Sequence, residues 1–164
     1  MTALVARYVI PQALALLPPA MDTPGARAML LAIGLQESRF LYRRQIGGPA
    51  RGFWQFERGG GVRGVLTHPA TAATAGGVLE RLRYGRGASH TDVHAALEHN
   101  DVLACVFARL LLWATPGALP VADHADDGWA LYLAGWRPGK PHPKAWPSLF
   151  REAWGHVGAD TQVA

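Results

Sequence analysis

Apolar residues recur at helical spacing along most of this chain, and the polar residues between them fall where helices start and stop. The clearest case opens at Asp22-Thr23-Pro24. Asp22 or Thr23 can cap a helix, Pro24 suits its first turn, and Met29, Leu30 and Ile33 follow at helical spacing. Residues 1–20 are apolar but split by Pro11 and interrupted by Arg7 and Gln12, which predicts an N-terminal helical extension in one or two pieces. Residues 47–77 read as loop-rich. Gly47-Gly48-Pro49 and Gly59-Gly60-Gly61 break them, a helix over 70–75 is closed by Gly76-Gly77, and a short one around 78–83 ends at Gly85. Ser89, Thr91 and Asp92 are cap signals for the next helix. Asn100-Asp101 can cap another, apolar nearly all round to Trp113 and therefore central and buried, which Thr115-Pro116-Gly117 stops. A late helix lies within 126–139, DDGWALYLAGWRPG. A last amphipathic one carries Leu149, Phe150, Ala153 and Trp154, with a frayed tail after Gly158.

Composition narrows this to one mostly α domain spanning 1–164. The chain is 49% apolar and 17% charged, and no repeat or low-complexity segment divides it. Sixteen basic residues against twelve acidic give +4, and the basic side is arginine except for Lys140 and Lys144. That balance suits a polyanionic partner such as a cell wall, a membrane surface or a nucleic acid, and equally a plain soluble basic surface. No helix-turn-helix or basic helix supports nucleic acid, so none is expected as a partner. The lone Cys105, among Leu103, Val106 and Phe107, excludes an internal disulfide framework and reads as an inert buried thiol. No uninterrupted apolar run reaches the length of a membrane span, and no basic region precedes the N-terminal apolar stretch. Neither stable membrane insertion nor a clear signal peptide is expected.

The candidate chemistry starts at Glu37. It lies four residues beyond Ile33 and seven beyond Leu30, so it continues the buried stripe of its helix. Partial burial disfavours the charged carboxylate, and the negative end of the helix dipole pushes the same way. Both hold a proton toward neutral pH, as a general acid requires. Arg39, Arg43, Arg44 and Arg51 pull in the opposite direction if they come close. A glutamate paired with one of them is the plainer reading of Glu37 alone.

The neighbouring spacing adds to this. Glu37-Ser38-x-Phe40, followed by Ala50-x-Gly52-Phe53-Trp54-Gln55, resembles the soluble lytic transglycosylases, whose pattern is E-S-x-F and then A-x-G-L-M-Q. Gln55 falls eighteen residues after Glu37, as in that pattern, while Phe53 and Trp54 are bulkier than the usual pair. Leu131-Tyr132-Leu133-Ala134-Gly135 resembles the family's A-Y-N-A-G element, with Leu133 in place of asparagine. The resemblance implies a lysozyme-like helical domain with a glycine-rich loop or small β region lining a cleft. It implies Glu37 as the catalytic acid and base, with Ser38 and Gln55 orienting it or binding an N-acetyl group. Tyr132 would face the reacting sugar, and Trp54 and Trp136 are candidates for stacking on sugars.

The reaction implied is cleavage of the MurNAc-β-1,4-GlcNAc bond of peptidoglycan glycan strands, with a 1,6-anhydro product. No cofactor or metal is called for, and a monomer is expected. His90, His94, Glu98 and His99 lack the order of a zinc motif and read as cap and surface residues. Glu57 is the one nearby acid that would make a hydrolytic muramidase instead, although a salt bridge to Arg58 or Arg63 explains it more simply. A non-catalytic wall-binding virion protein is the third reading, favoured by Leu133 and the Phe53-Trp54 pair. The expected setting is the bacterial cell wall in the periplasm, reached as a phage endolysin or virion component.

Overall fold

The N-terminal apolar stretch forms α1 (Thr2–Leu4), a wide π-turn over Val5–Val9 and α2 (Ile10–Leu14). Pro11 lies in the first turn of α2, where its missing N–H and its ring disturb the preceding α-helical bonding, and the π-turn absorbs that disturbance. The computed structural model describes residues 1–160, with side chains as far as Gly158. It is mostly helical, and among the described residues no helix is long and apolar enough to cross a membrane.

Thr23, not Asp22, caps α3 (Pro24–Ser38): its Oγ1 accepts from the Ala26 amide at 3.2 Å, while Asp22 forms a two-pronged ion pair with Arg27. The helix ends where Arg39 and Phe40 both turn left-handed, at φ 55° and 54°. This reversal lays the Phe40 ring over Gly34, where an added Cβ would stand only 2.2 Å from the ring. Glycine at 34 is therefore required by packing.

The segment after Phe40 contains no strand among the described residues. The small β region expected there reduces to isolated bridges, Arg44 with Arg51 and Arg51 with Phe56. The Gly59-Gly60-Gly61 run is also not a loop: it sits in a π-turn over Arg58–Val62 that feeds α4 (Arg63–Thr67). Gly61 packs on the Phe56 ring, an arrangement that a side chain would block and that local propensity does not foresee. The two short helices expected on either side of Gly76-Gly77 are one, α5 (Ala72–Arg81), because Ala75, Val78 and Leu79 share a buried face. It ends not at Gly85 but at Arg81, closed by a Schellman turn with Arg83 left-handed in which the Tyr84 amide bonds back to the Leu79 carbonyl at 2.9 Å.

The second half follows the sequence pattern closely. Ser89 caps α6 (His90–His99) and Asn100 caps α7 (Asp101–Ala114), each through its side-chain oxygen. The α7 helix, apolar apart from Asp101 at its start and a buried Arg109 that donates to the Met21 carbonyl at 2.7 Å, is the central rod, with α2, α3, α4, α5, α6 and α8 (Ala125–Trp136) against it. Cys105 lies wholly inside, and burial pushes its thiol above the ordinary range. A short 3-10 turn over Pro143–Ala145 leads into α9 (Trp146–Asp160), which packs along α3. The tail expected to fray after Gly158 thus begins inside α9, and its remainder lies outside the described residues.

Candidate functional site

Glu37 is the penultimate residue of α3, half-buried, and its Oε1 accepts a 2.6 Å hydrogen bond from the hydroxyl of Tyr132 on α8. Burial raises the Glu37 carboxyl from an ordinary 4.5 to about 7, against the smaller opposing effect of the tyrosine bond. Burial and the adjacent carboxylate in turn push the Tyr132 phenol upward, so it stays protonated and donates. Tyr132 is only 2% exposed, and its ring stacks on Trp146 at 5.4 Å with Trp129 at 5.1 Å. Glu37 enters no ion pair among the described residues. Arg43 binds Asp101 at 2.7 Å and Arg51 binds Glu98 at 2.8 Å, which removes two of the cations that would have restored its charge.

Both residues open onto a groove of about 1250 Å³ that Gln55, Trp136, Tyr42 and Glu57 also line. Gln55 adopts a left-handed backbone at φ 50°, and its amide nitrogen donates to the Gly52 carbonyl at 2.8 Å. Among the described residues its amide oxygen accepts no bond, and it can take one from an N–H in the groove. Gln55 and Glu37 share the groove without bonding to each other.

Two residues expected at the substrate do other work. Ser38 is 5% exposed; its hydroxyl donates to the Phe53 carbonyl at 2.7 Å and accepts from the Phe40 amide. It fixes the end of α3 and has no free group for a sugar or for Glu37. Trp54 is fully buried, packed edge-on against Phe40 and Phe53, and its indole donates to the Leu30 carbonyl at 2.8 Å. It belongs to the core, so stacking on a sugar is excluded for it. Trp136 is half-buried and lines the groove, with its indole donating to the Trp54 carbonyl at 2.9 Å. The carbonyls of Phe53 and Trp54 are therefore held by side chains from α3 and α8, which satisfies an irregular buried segment that has no ladder partner. Leu133 is partly buried and packs against the core, a use for its apolar side chain where asparagine was usual in the pattern.

Of the other candidate acids and histidines, His94 and Glu98 are engaged by neighbours and Glu57 is not. Glu57 is exposed and forms no ion pair among the described residues; Arg58 instead donates to Thr91 at 3.1 Å. His94 sits against the Phe56 carbonyl at 3.0 Å, and burial lowers its pKa. Glu98 is engaged with Arg51, and among the described residues no group of three or more His, Cys, Asp or Glu is placed to hold a metal.

No family model, curated protein or solved structure matches this chain. The arrangement must therefore be judged on its own geometry. Tyr42 and Ile46, 52% and 82% exposed at the groove, were not anticipated from the sequence. Their only signal is two large apolar residues among arginines with no helical period to bury them.

Removing the Tyr132 hydroxyl tests the central contact. In Tyr132→Phe the carboxylate loses a donor that favours its charged form, so the Glu37 pKa rises and the alkaline limb of any activity profile moves to higher pH. The expected loss in kcat is about tenfold. An unshifted limb would mean that the tyrosine does not govern the acid.

Proposed function

We propose that this protein cleaves the β-1,4 glycosidic bond between N-acetylmuramic acid and N-acetylglucosamine in peptidoglycan, as a lytic transglycosylase of lysozyme-like architecture. The observation that carries this reading is one carboxyl, raised to about 7, opening on a groove with a tyrosine donor on it. The motif positions Glu37, Gly52, Gln55 and Tyr132, which resemble those of the soluble lytic transglycosylases, support it.

Glu37 gives its proton to the bridging oxygen as the C1–O bond breaks, and the sugar's own N-acetyl oxygen stabilises the developing cation. The Glu37 carboxylate then takes the proton of the 6-hydroxyl as O6 bonds to C1. The acid is restored, and the product is a 1,6-anhydro sugar. A hydroxyl held on the same ring outcompetes water by effective concentration. Gln55 offers its free amide oxygen to the acetamido N–H, while Tyr42 and Trp136 provide apolar ring surface for sugar faces.

The second reading is a hydrolytic muramidase, which the presence of Glu57 on the same groove favours. Mass spectrometry of digested peptidoglycan separates the two. Anhydro-muropeptides are expected from the parent and not from Glu37→Gln. Reducing ends throughout would replace transglycosylation by hydrolysis, and undigested walls with the parent would remove both. The proposed place of action is the bacterial cell wall, as an endolysin or virion-associated enzyme.

A further inference from the structure

Several glycines of the groove have no reason within the protein to be glycine. A Cβ built on Gly59, Gly64 or Gly139 would meet nothing within 4 Å, and none of the three has a left-handed backbone. Gly59 nevertheless lies in the π-turn and Gly64 in α4, where glycine weakens a helix. Gly61, between them, differs: it is packed against Phe56. The bare positions leave open space that the fold itself does not use.

The same two segments supply the groove's cations. Arg63, Arg137 and Lys140 are all exposed, and none meets a carboxylate among the described residues, whereas Arg27, Arg43, Arg51 and Arg86 all do. Arg137, left-handed at φ 48°, turns the chain off α8, and the Gln36 amide holds the following segment through the His142 carbonyl at 3.2 Å. Lys140 is thus carried between two fixed points.

We propose that 59–64 and 137–140 form a branch site, in which bare backbone gives room to a bulky substituent of the glycan and Arg63, Arg137 and Lys140 bind its carboxylates. The assignment rests on the peptidoglycan reading above, which makes the substituent the carboxylate-bearing peptide attached to the muramic acid. Charge and space on these segments select strands that carry the peptide over strands that do not.

The test compares soluble peptide-bearing glycan strands with the same strands stripped by an amidase. For the parent at low salt, KM on peptide-bearing strands is expected to be lower by about tenfold, the sum of several exposed charge contacts. That ratio should fall toward one with added salt, in an Arg63→Gln/Lys140→Gln double variant and in Gly64→Leu. The melting temperature of Gly64→Ala should stay level or rise by up to about 3 °C, since alanine favours a helix. Cleavage of both strands with equal KM would overturn the branch site and leave the glycosidase reading intact. Cleavage of neither would overturn both. A lowered melting temperature in Gly64→Ala would make that glycine structural and overturn the assignment of space.

Discussion

Glu37→Gln is expected to lower kcat on cell walls by about a thousandfold, within the range that loss of a general acid produces, with little change in KM. The amide keeps an oxygen for the Tyr132 hydroxyl, so the fold should persist, but it has no proton to give. Stability supplies an independent readout. The carboxyl is raised from 4.5 in the unfolded chain to about 7 in the folded one, so the folded state binds the proton more tightly. Its contribution is fully present below pH 4.5 and is lost as pH rises through 7. The parent should therefore lose on the order of 1 to 3 kcal/mol between pH 4.5 and 8, and Glu37→Gln should lose less over that interval. Denaturant midpoints across pH measure the difference. Identical slopes for the two proteins would show that Glu37 has no perturbed proton affinity and would remove the basis of the proposed acid.

Trp54→Ala should unfold more readily by about 3 to 5 kcal/mol, the usual cost of deleting a fully buried large aromatic side chain. It also leaves the Leu30 carbonyl without its indole donor. A drop of about 10 °C or more in melting temperature is expected for a chain of this size. A residue that merely stacks on sugar would behave in the opposite way, with an unchanged melting temperature and a raised KM. Scanning calorimetry of the variant decides between these outcomes.

The helices could be read wherever cap and stripe agreed. Thr23-Pro24 before the Met29–Ile33 run, and Asn100 before a segment apolar nearly all round, are enough to locate α3 and the central α7, because both signals are local. The glycine runs misled for the converse reason. Gly61 is held in a π-turn by Phe56, and Gly76 lies in α5 through the burial of its neighbours, contacts that no window of sequence contains. The site was legible unevenly. Burial of Glu37 followed from its place on the stripe, and its partner Tyr132, ninety-five positions away, came only through a family pattern. Trp54 and Ser38 stood in the same pattern, yet their donors end on backbone carbonyls, which composition and spacing do not reveal. Tyr42 and Ile46 have no periodicity at all, so exposure at the groove had to be seen.

The side chains of Ser38 and Trp136 end on consecutive carbonyls, those of Phe53 and Trp54. One side chain comes from the helix bearing the carboxyl and the other from the helix bearing the phenol, so both walls lean on a single buttress. Phe53 and Trp54, both sealed from solvent, thus tie the end of the helix that carries Glu37 to the end of the helix that carries Tyr132 through their main chain. The proposed acid and its donor are thereby braced from the interior, by a piece of backbone that lies outside the groove.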